Sequence, residues 1–243
     1  GPGAARALWK PLDGLGALTD ALARALGPGL ELGRRATSLA REGQGFRVGL
    51  ADGSSRSART VVLATPLGAA RTLLGEAAPE AARALATMSA EGLVSVVHAW
   101  RQADVAHALD GFGYLAPSRQ ESPVLGTLFC SSLWPRAAPE GCVLLRTLLG
   151  GARHADALAL DDAALGEAVV AETRAHLGAR GSPLLLRLAR HPAVIPRLDR
   201  THPARLVELE RALPAGLAVL GNFTRGIGLA RLVAEARALA ARL

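Results

Sequence analysis

The sequence has 243 residues, of which 50% are hydrophobic and 20% charged, and such a chain can form one large core or two small ones. It contains no run of the roughly 20 apolar residues that a membrane helix needs and no signal-peptide pattern. The net charge of +7 does not indicate nucleic-acid binding, because the arginines are scattered and aromatic side chains make up only 3% of the chain. We therefore expect no nucleic-acid partner.

The cysteines and the first residues set two further expectations. Cys130 and Cys142 have no metal-ligand spacing, so we expect buried thiols in a reducing compartment and no metal site. The chain begins Gly1-Pro2-Gly3, and its only methionine is Met88. This beginning predicts a fragment, or a processed or engineered piece, of a longer protein.

The first third of the chain predicts a helix followed by strands. Leucines at positions 15, 18, 22 and 26 form one helical stripe over residues 14–26, which Gly27-Pro28 ends. Strands are predicted over 30–39 and 46–50, with Asp52-Gly53 as a hairpin signal. Residues 60–65 predict a buried strand that Pro66 ends, and an alanine-rich helical region covers 67–85.

The middle of the chain predicts a small antiparallel sheet. Residues 93–100 are rich in β-branched side chains and predict a strand. His98 within it is typical of a packed core histidine, although the sequence names no partner for it. Three more β-runs, 111–118, 124–132 and 143–151, are separated by Gly and Pro signals. One face of such a sheet can line an apolar pocket for a flat ligand.

The last third alternates helices and strands. Residues 161–177 predict an amphipathic helix capped by Asp161 or Asp162. A strand over 183–189 follows. Pro203 fits the start of another helix, where His202 suits a loop-capping role as well as a chemical one.

The closing segment predicts a strand, a glycine loop and a helix. Leu217 to Leu220 form a short apolar run, and Gly226 and Gly228 precede a helical pattern over 229–243. Unpaired N–H groups at such a helix start suit an anionic or carbonyl-rich ligand, which glycines allow to approach the backbone. By themselves, these glycines are more typical of a plain turn.

Taken together, several of these segments resemble the FAD-dependent amine-oxidase superfamily and, within it, the protoporphyrinogen oxidases. The matching segments are Asp13-Gly14-Leu15, the strand ending at Thr65-Pro66, Gly111-Phe-Gly-Tyr-Leu-Ala-Pro117, Leu148-Leu-Gly-Gly151, His202 with Arg205, and Leu220-Gly-Asn222 with Gly226-Ile-Gly228. Residues 191–196 resemble a family loop, and Arg197 and Leu198 stand in place of its usual Gln and Tyr. The other departures are Trp134 in place of a usual Phe and Arg231 near a common Asp or Asn.

The resemblance implies an α+β fold that is part of the amine-oxidase-like fold. It has an antiparallel substrate-domain sheet with helices, plus the C-terminal strand and helix of an FAD-binding domain. Residues 1–66 would be a remnant of the FAD-binding domain, 67–213 the substrate-binding domain, and 214–243 the closing strand and helix. The implied FAD contacts are Ala36, Pro66, Asn222, Ile227, Gly228 and Leu229. The implied tetrapyrrole contacts are Gly113, Leu115, Leu128 and Leu148.

The implied activity is the oxidation of protoporphyrinogen IX or coproporphyrinogen III to the porphyrin in haem biosynthesis, with FAD as cofactor and oxygen as final acceptor. No catalytic residue is identified. The family's Gly-x-Gly-x-x-Gly unit and its membrane-associating region are missing from these residues, so we expect poor FAD binding and no activity from this chain alone. The resemblance also implies a cytoplasmic location, or a peripheral one on the inner face of the bacterial plasma membrane through that missing region, and is compatible with a homodimer.

Two alternatives stay open. One is another enzyme of the superfamily, such as a carotenoid desaturase or an amine oxidase, which the Gly111–Pro117 and Leu148–Gly151 motifs argue against. The other is a non-catalytic tetrapyrrole-binding or assembly module without a flavin domain. An upstream Gly-x-Gly-x-x-Gly segment in the same gene would favour the enzyme.

Overall fold

The computed structural model describes residues 10–117 and 122–243. Gly1-Pro2-Gly3 and Ser118, which the sequence analysis uses, lie outside these residues. The helices are α1 (Gly16–Leu26), α2 (Leu67–Ala77), α3 (Pro79–Ala86), α4 (Cys130–Leu133), α5 (Asp162–Leu177), α6 (His202–Ala212) and α7 (Leu229–Ala240). The strands are β1 (Ala36–Glu42), β2 (Gly45–Leu50), β3 (Ser55–Ala58), β4 (Val61–Leu63), β5 (Ala90–Arg101), β6 (Gly113–Leu115), β7 (Val124–Phe129), β8 (Cys142–Gly150), β9 (Leu185–Pro196) and β10 (Leu217–Val219).

These strands form three sheets. The largest has the order β6-β7-β8-β5-β9 and is antiparallel throughout. A three-stranded antiparallel meander has the order β1-β2-β3, and β10 pairs in parallel with β4. The expected α+β fold with an antiparallel sheet is confirmed.

The large sheet buries one face against α5. Alternate side chains of a strand point to opposite faces, and the even-numbered residues of β5 from Val94 to Trp100 and the odd-numbered residues of β8 are buried. Val94, Val96, Leu145 and Leu149 have 0% exposure. Leu165 and Val169 of α5 pack against this face. Asp161 caps α5 by accepting a hydrogen bond from the N–H of Ala164 at 2.8 Å, so the predicted cap is confirmed.

A second hydrophobic core contains residues from an early part and a late part of the chain. It contains buried residues of the meander, of α2, α3 and α6, and of the closing segment, among them Phe46, Leu74, Leu85, Leu209 and Phe223. In the parallel pair, Leu217 lies opposite Val61. The strand that enters α2 and the strand that leads to α7 are therefore neighbours.

Four predicted elements have wrong boundaries. The first strand begins at Ala36 rather than Leu30, because the chain turns at Leu32-Gly33, where Gly33 has a φ of +70°. The helix over 67–85 is broken at Ala78, since the proline that follows disfavours the helical conformation there. The run over 124–132 leaves its strand at Cys130 and forms the short helix α4.

The fourth wrong boundary concerns β9. The strand does not end at Ala189 but continues through the predicted loop to Pro196. Pro192 has no N–H to donate, and in a central strand it would break the ladder. Here β9 is the edge strand of the sheet, and a register shift in the pairing with β5 lies between Glu91 and Leu93. Edge strands and bulges are the places where a sheet tolerates proline.

The first and last helices carry the predicted apolar stripes but bury none of their residues. Leu15, Leu22 and Leu26 are between 57% and 60% exposed, and Leu229 is 50% exposed. The period of the sequence therefore predicts these helices correctly, while the contact that would cover their stripes is not made by the described residues. Within residues 10–117 and 122–243, no helix has the length and apolarity required to cross a membrane.

Candidate functional site

The four predicted tetrapyrrole contacts lie on one face of the large sheet. We call this the open face; it is opposite α5 and contains Gly113, Leu115, Leu128, Arg146 and Leu148. Gly113 pairs with Leu128, Leu115 pairs with Gly126, and Gly126 pairs with Leu148. Since neighbours in register share a face, three strands contribute to one apolar surface. Leu115 is 86% exposed, and Leu128 and Leu148 are partly exposed.

Glycines let β6 and β7 approach each other closely. Gly113 has a φ of +142°, and a Cβ built on it would collide with the carbonyl oxygen of Thr127. A Cβ on Gly126 would collide with the carbonyl oxygen of Tyr114. Glycine is thus needed at both positions for this strand pairing.

A chain of hydrogen bonds runs through the covered face of the same sheet. The indole N–H of Trp100 donates to Nδ1 of His98 at 2.8 Å, so the neutral imidazole carries its proton on Nε2 and donates to Thr147 at 2.9 Å. The Thr147 hydroxyl lies 2.8 Å from that of Thr127. His98 is therefore a packed core histidine, as predicted, with partners that the sequence did not name.

The chain of hydrogen bonds continues to an acidic side chain. Thr127 donates to the Tyr114 hydroxyl at 3.3 Å, which donates to Glu172 Oε1 at 3.3 Å. Burial lowers the pKa of His98 to about 4 and raises the pKa of Tyr114 to about 12. Both groups are uncharged at neutral pH, so the network connects four strands and a helix rather than exchanging protons with a ligand.

The predicted cofactor contacts Pro66 and Asn222 lie at another place, just beyond the ends of two parallel strands. The N–H of Leu220 donates to the carbonyl of Leu63 at 3.0 Å, so the chain leaves β4 and β10 side by side. Pro66 follows the first strand end and Asn222 the second. Ligands of α/β proteins bind outside the carboxyl ends of parallel strands. The buried Thr65 hydroxyl, in this position, has no partner among the described residues.

The loop after β10 is held by side chains on both sides. The amide of Asn222 donates to the carbonyl of Val194 in β9 at 2.8 Å. Nε2 of His202 is 2.8 Å from the carbonyl of Thr224, and Phe223 is 1% exposed. His202 thus acts as the anchor of this loop, one of the two roles that its sequence position suggested.

The last residues of this loop are open to a ligand. Gly228 precedes α7 without a side-chain cap, and no atom lies within 4 Å of the place where its Cβ would be. Ile227 and Leu229 are 54% and 50% exposed. An uncapped helix start beside exposed apolar side chains fits the carbonyl-bearing edge of an apolar ring system such as a flavin. Ala36 is half-buried on β1.

One departure from the family lies at this edge. Arg231, near a usual Asp or Asn, forms an ion pair with Glu235 at 3.2 Å. Part of its charge is therefore neutralised within α7.

The described residues include few side chains suited to catalysis or metal binding. Cys130 is a free, buried thiol whose pKa is raised by burial, and Cys142 is also free. Across residues 10–117 and 122–243, no group of three or more His, Cys, Asp or Glu side chains could hold a metal ion. The two surfaces suit the binding and orientation of ligands.

The sequence matches the family of flavin containing amine oxidoreductases over residues 3–214, and the chain belongs to that family. In fold it is similar to a solved protein from Exiguobacterium sp. 255-15, provisionally named a protoporphyrinogen oxidase, with a TM-score of 0.82 at 20% identity over 94% of this chain and 50% of that one.

Among curated proteins, the chain is similar to two porphyrinogen oxidases. It is 29% identical over 246 residues to the chloroplastic protoporphyrinogen oxidase of Nicotiana tabacum, covering 95% of this chain and 45% of the relative. It is 33% identical over 230 residues to the coproporphyrinogen III oxidase of Propionibacterium freudenreichii subsp. freudenreichii, covering 92% and 42%. The chain therefore spans less than half the length of these relatives.

Proposed function

We propose that this chain forms the substrate-binding part and the closing flavin contact of an FAD-dependent porphyrinogen oxidase. Its substrate would be protoporphyrinogen IX or coproporphyrinogen III, the product a porphyrin, and oxygen the final electron acceptor. The observation that carries the proposal is the placement of Gly113, Leu115, Leu128 and Leu148 on one open sheet face. The names of the relatives from Nicotiana and Propionibacterium support the choice of substrate.

In the proposed enzyme, the residues of this chain bind and orient. The apolar half of the open face would hold the flat macrocycle and exclude water from one side of it. The N–H groups that open α7 would face the carbonyl edge of the flavin and favour negative charge there, by roughly 0.3–2 kcal/mol. The bound flavin supplies the hydride acceptor. The hydrogen-bonded network around His98 would keep β5, β6, β7 and β8 in register beneath the substrate.

We propose that FAD binding is shared between this chain and other residues of the enzyme. The 243 residues contain no Gly-x-Gly-x-x-Gly sequence, which in this kind of protein cradles the pyrophosphate. We propose that other residues of the enzyme supply this cradle and the membrane contact, at the cytoplasmic side of the plasma membrane, and that the enzyme can pair as a homodimer.

The isolated chain is accordingly expected to bind FAD poorly and to be inactive. After purification with excess FAD, its absorbance near the flavin bands should show far less than one flavin per chain. Adding a polypeptide with the dinucleotide-binding part of a relative should restore both bound flavin and porphyrinogen oxidation. A stoichiometric flavin on the isolated chain would contradict this shared binding of FAD.

A substitution at the start of α7 tests the flavin contact within the restored enzyme. Gly228→Asp meets no atom within 4 Å and adds an acid to a helix N-terminus, which stabilises helices, so the fold should persist while flavin retention falls. Ala163→Asp, in the exposed first turn of α5, is the matched control and should retain flavin. Equal retention by both variants would contradict the proposed contact. Porphyrin binding without any restored flavin or activity would favour a non-catalytic tetrapyrrole-binding module.

A further inference from the structure

Charged side chains are unevenly distributed over the open face. By register, Gly113, Leu128, Arg146, Val97 and Arg187 form one row across all five strands of the sheet. The first two belong to β6 and β7, which contain no charged residue. The two arginines belong to β8 and β9. The face therefore has an apolar half and a cationic half.

Neither of these arginines has an acidic partner within residues 10–117 and 122–243. Arg146 donates from Nε to the Ser95 hydroxyl at 2.8 Å, and Arg187 donates to the carbonyl of Leu186 at 3.3 Å. Arg190 provides the contrast, since it lies on the same strand but on the covered face. Its Nη1 is 2.5 Å from Asp162 at the start of α5. Within this sheet, Arg190 on the covered face is paired with an acid. On the open face, Arg146, Arg187 and, at the end of β5, Arg101 have no acidic partner among the described residues.

The Arg146 side chain is fixed at its Nε atom and exposed at the rest of its guanidinium. Ser95 is 5% exposed and fixes the Nε end of the guanidinium, while Arg146 itself is exposed. A guanidinium has five N–H donors in a planar fork, and the bond to Ser95 uses one. The remaining donors can bind a carboxylate through two parallel hydrogen bonds. One strand, β5, lies between the strands of Arg146 and Arg187, so two interstrand spacings place their Cα atoms about 10 Å apart.

We infer that Arg146 and Arg187 bind two carboxylates on one edge of a flat tetrapyrrole, whose carboxylate-free edge lies over Leu115, Leu128 and Leu148. This inference rests on the proposed function and narrows its substrate. A macrocycle with carboxylates on one edge, such as protoporphyrinogen, matches both halves of the face. A macrocycle with carboxylates on several edges, such as coproporphyrinogen, would place charge against the leucines, where no cation lies, and lose hydration.

Porphyrin titrations of the 243-residue chain test the inference. The probes are deuteroporphyrin IX, with two propionates on one edge, its dimethyl ester, and coproporphyrin III, with four propionates, followed by porphyrin fluorescence in dilute non-ionic detergent. Wild type should bind deuteroporphyrin more tightly than coproporphyrin. Arg146→Gln and Arg187→Gln should each weaken deuteroporphyrin binding about tenfold, as expected for loss of a charge-assisted hydrogen bond. Ser95→Ala should weaken it by a smaller factor, because the arginine loses only its orientation.

The controls separate this inference from the proposed function. Arg190→Gln, on the opposite face, should bind deuteroporphyrin like wild type, and the dimethyl ester should bind equally to all variants. If Arg146→Gln and Arg187→Gln bind deuteroporphyrin as tightly as Arg190→Gln, the arginine inference is overturned while the proposed function stands. Coproporphyrin binding as tight as deuteroporphyrin binding overturns the substrate preference. Failure of wild type to bind any porphyrin overturns both proposals.

Discussion

Replacing Gly113 by alanine is expected to detach β6 from the large sheet and to lower the free energy of unfolding by about 3 kcal/mol. The φ of +142° at this position is unfavourable for any side chain, and the added Cβ would meet the carbonyl oxygen of Thr127 and lie 2.9 Å from the Cα of Leu128. Both obstacles are backbone atoms, so no rotamer change relieves them. Urea unfolding measures the decrease in the free energy of unfolding. The affinity for porphyrin should decrease as well, because Leu115 belongs to the detached strand.

Gly111→Ala is the matched control for this change. Gly111 lies two residues earlier, has no positive φ, and no atom lies within 4 Å of the place of its Cβ. The free energy of unfolding should then change by less than about 0.5 kcal/mol. If Gly113→Ala is as stable as Gly111→Ala and binds porphyrin equally well, the close approach of β6 and β7 has no role in forming the open face.

Acidification is expected to destabilise the protein through His98. Burial lowers its pKa from 6.5 to about 4 in the folded state, whereas the unfolded state titrates near 6.5. Between these values the unfolded state binds more protons, so stability falls as the pH falls. A shift of this size contributes about 3 kcal/mol to the free energy of unfolding. This contribution is fully present above pH 6.5 and is lost as the pH approaches 4.

The measurement compares unfolding of wild type and His98→Gln between pH 7 and pH 4. Glutamine can accept from Trp100 and donate to Thr147 but does not titrate, so the difference between the two proteins isolates His98 from the carboxylates. The stability advantage of wild type should shrink by about 3 kcal/mol over this range. NMR titration of the His98 ring reads the same pKa in wild type alone. A ring that titrates near pH 6.5 would contradict its burial in a neutral state.

The sequence predicted the large sheet well because each signal was local. The Gly and Pro signals between the β-runs predicted the strands, whereas only the resemblance to the protoporphyrinogen oxidases singled out Leu115, Leu128 and Leu148. Trp100 as a partner of His98 could have been found, since residues two apart on a strand share a face. Thr147 could not, because the register between β5 and β8 is set by packing across more than forty intervening residues.

The features that the sequence did not predict depend on how the elements pack together. Pro192 predicts the end of a strand when the strand is central, and only the sheet order shows that β9 is an edge. The apolar stripes of α1 and α7 correctly predict helices, yet periodicity does not show what covers a stripe, and their leucines are exposed here. The paired state of Arg190 and the unpaired state of Arg187 depend in the same way on which face of the sheet α5 covers.

Methyl NMR of the chain with deuteroporphyrin IX tests most directly whether the open face is a tetrapyrrole-binding surface. The porphyrin ring current should shift the methyl signals of Leu115, Leu128 and Leu148 and leave those of Leu145 and Leu149, on the covered face of the same strands, unchanged. Shifts confined to methyl groups elsewhere, or no shifts at porphyrin concentrations that saturate binding, would show that this face does not hold the macrocycle.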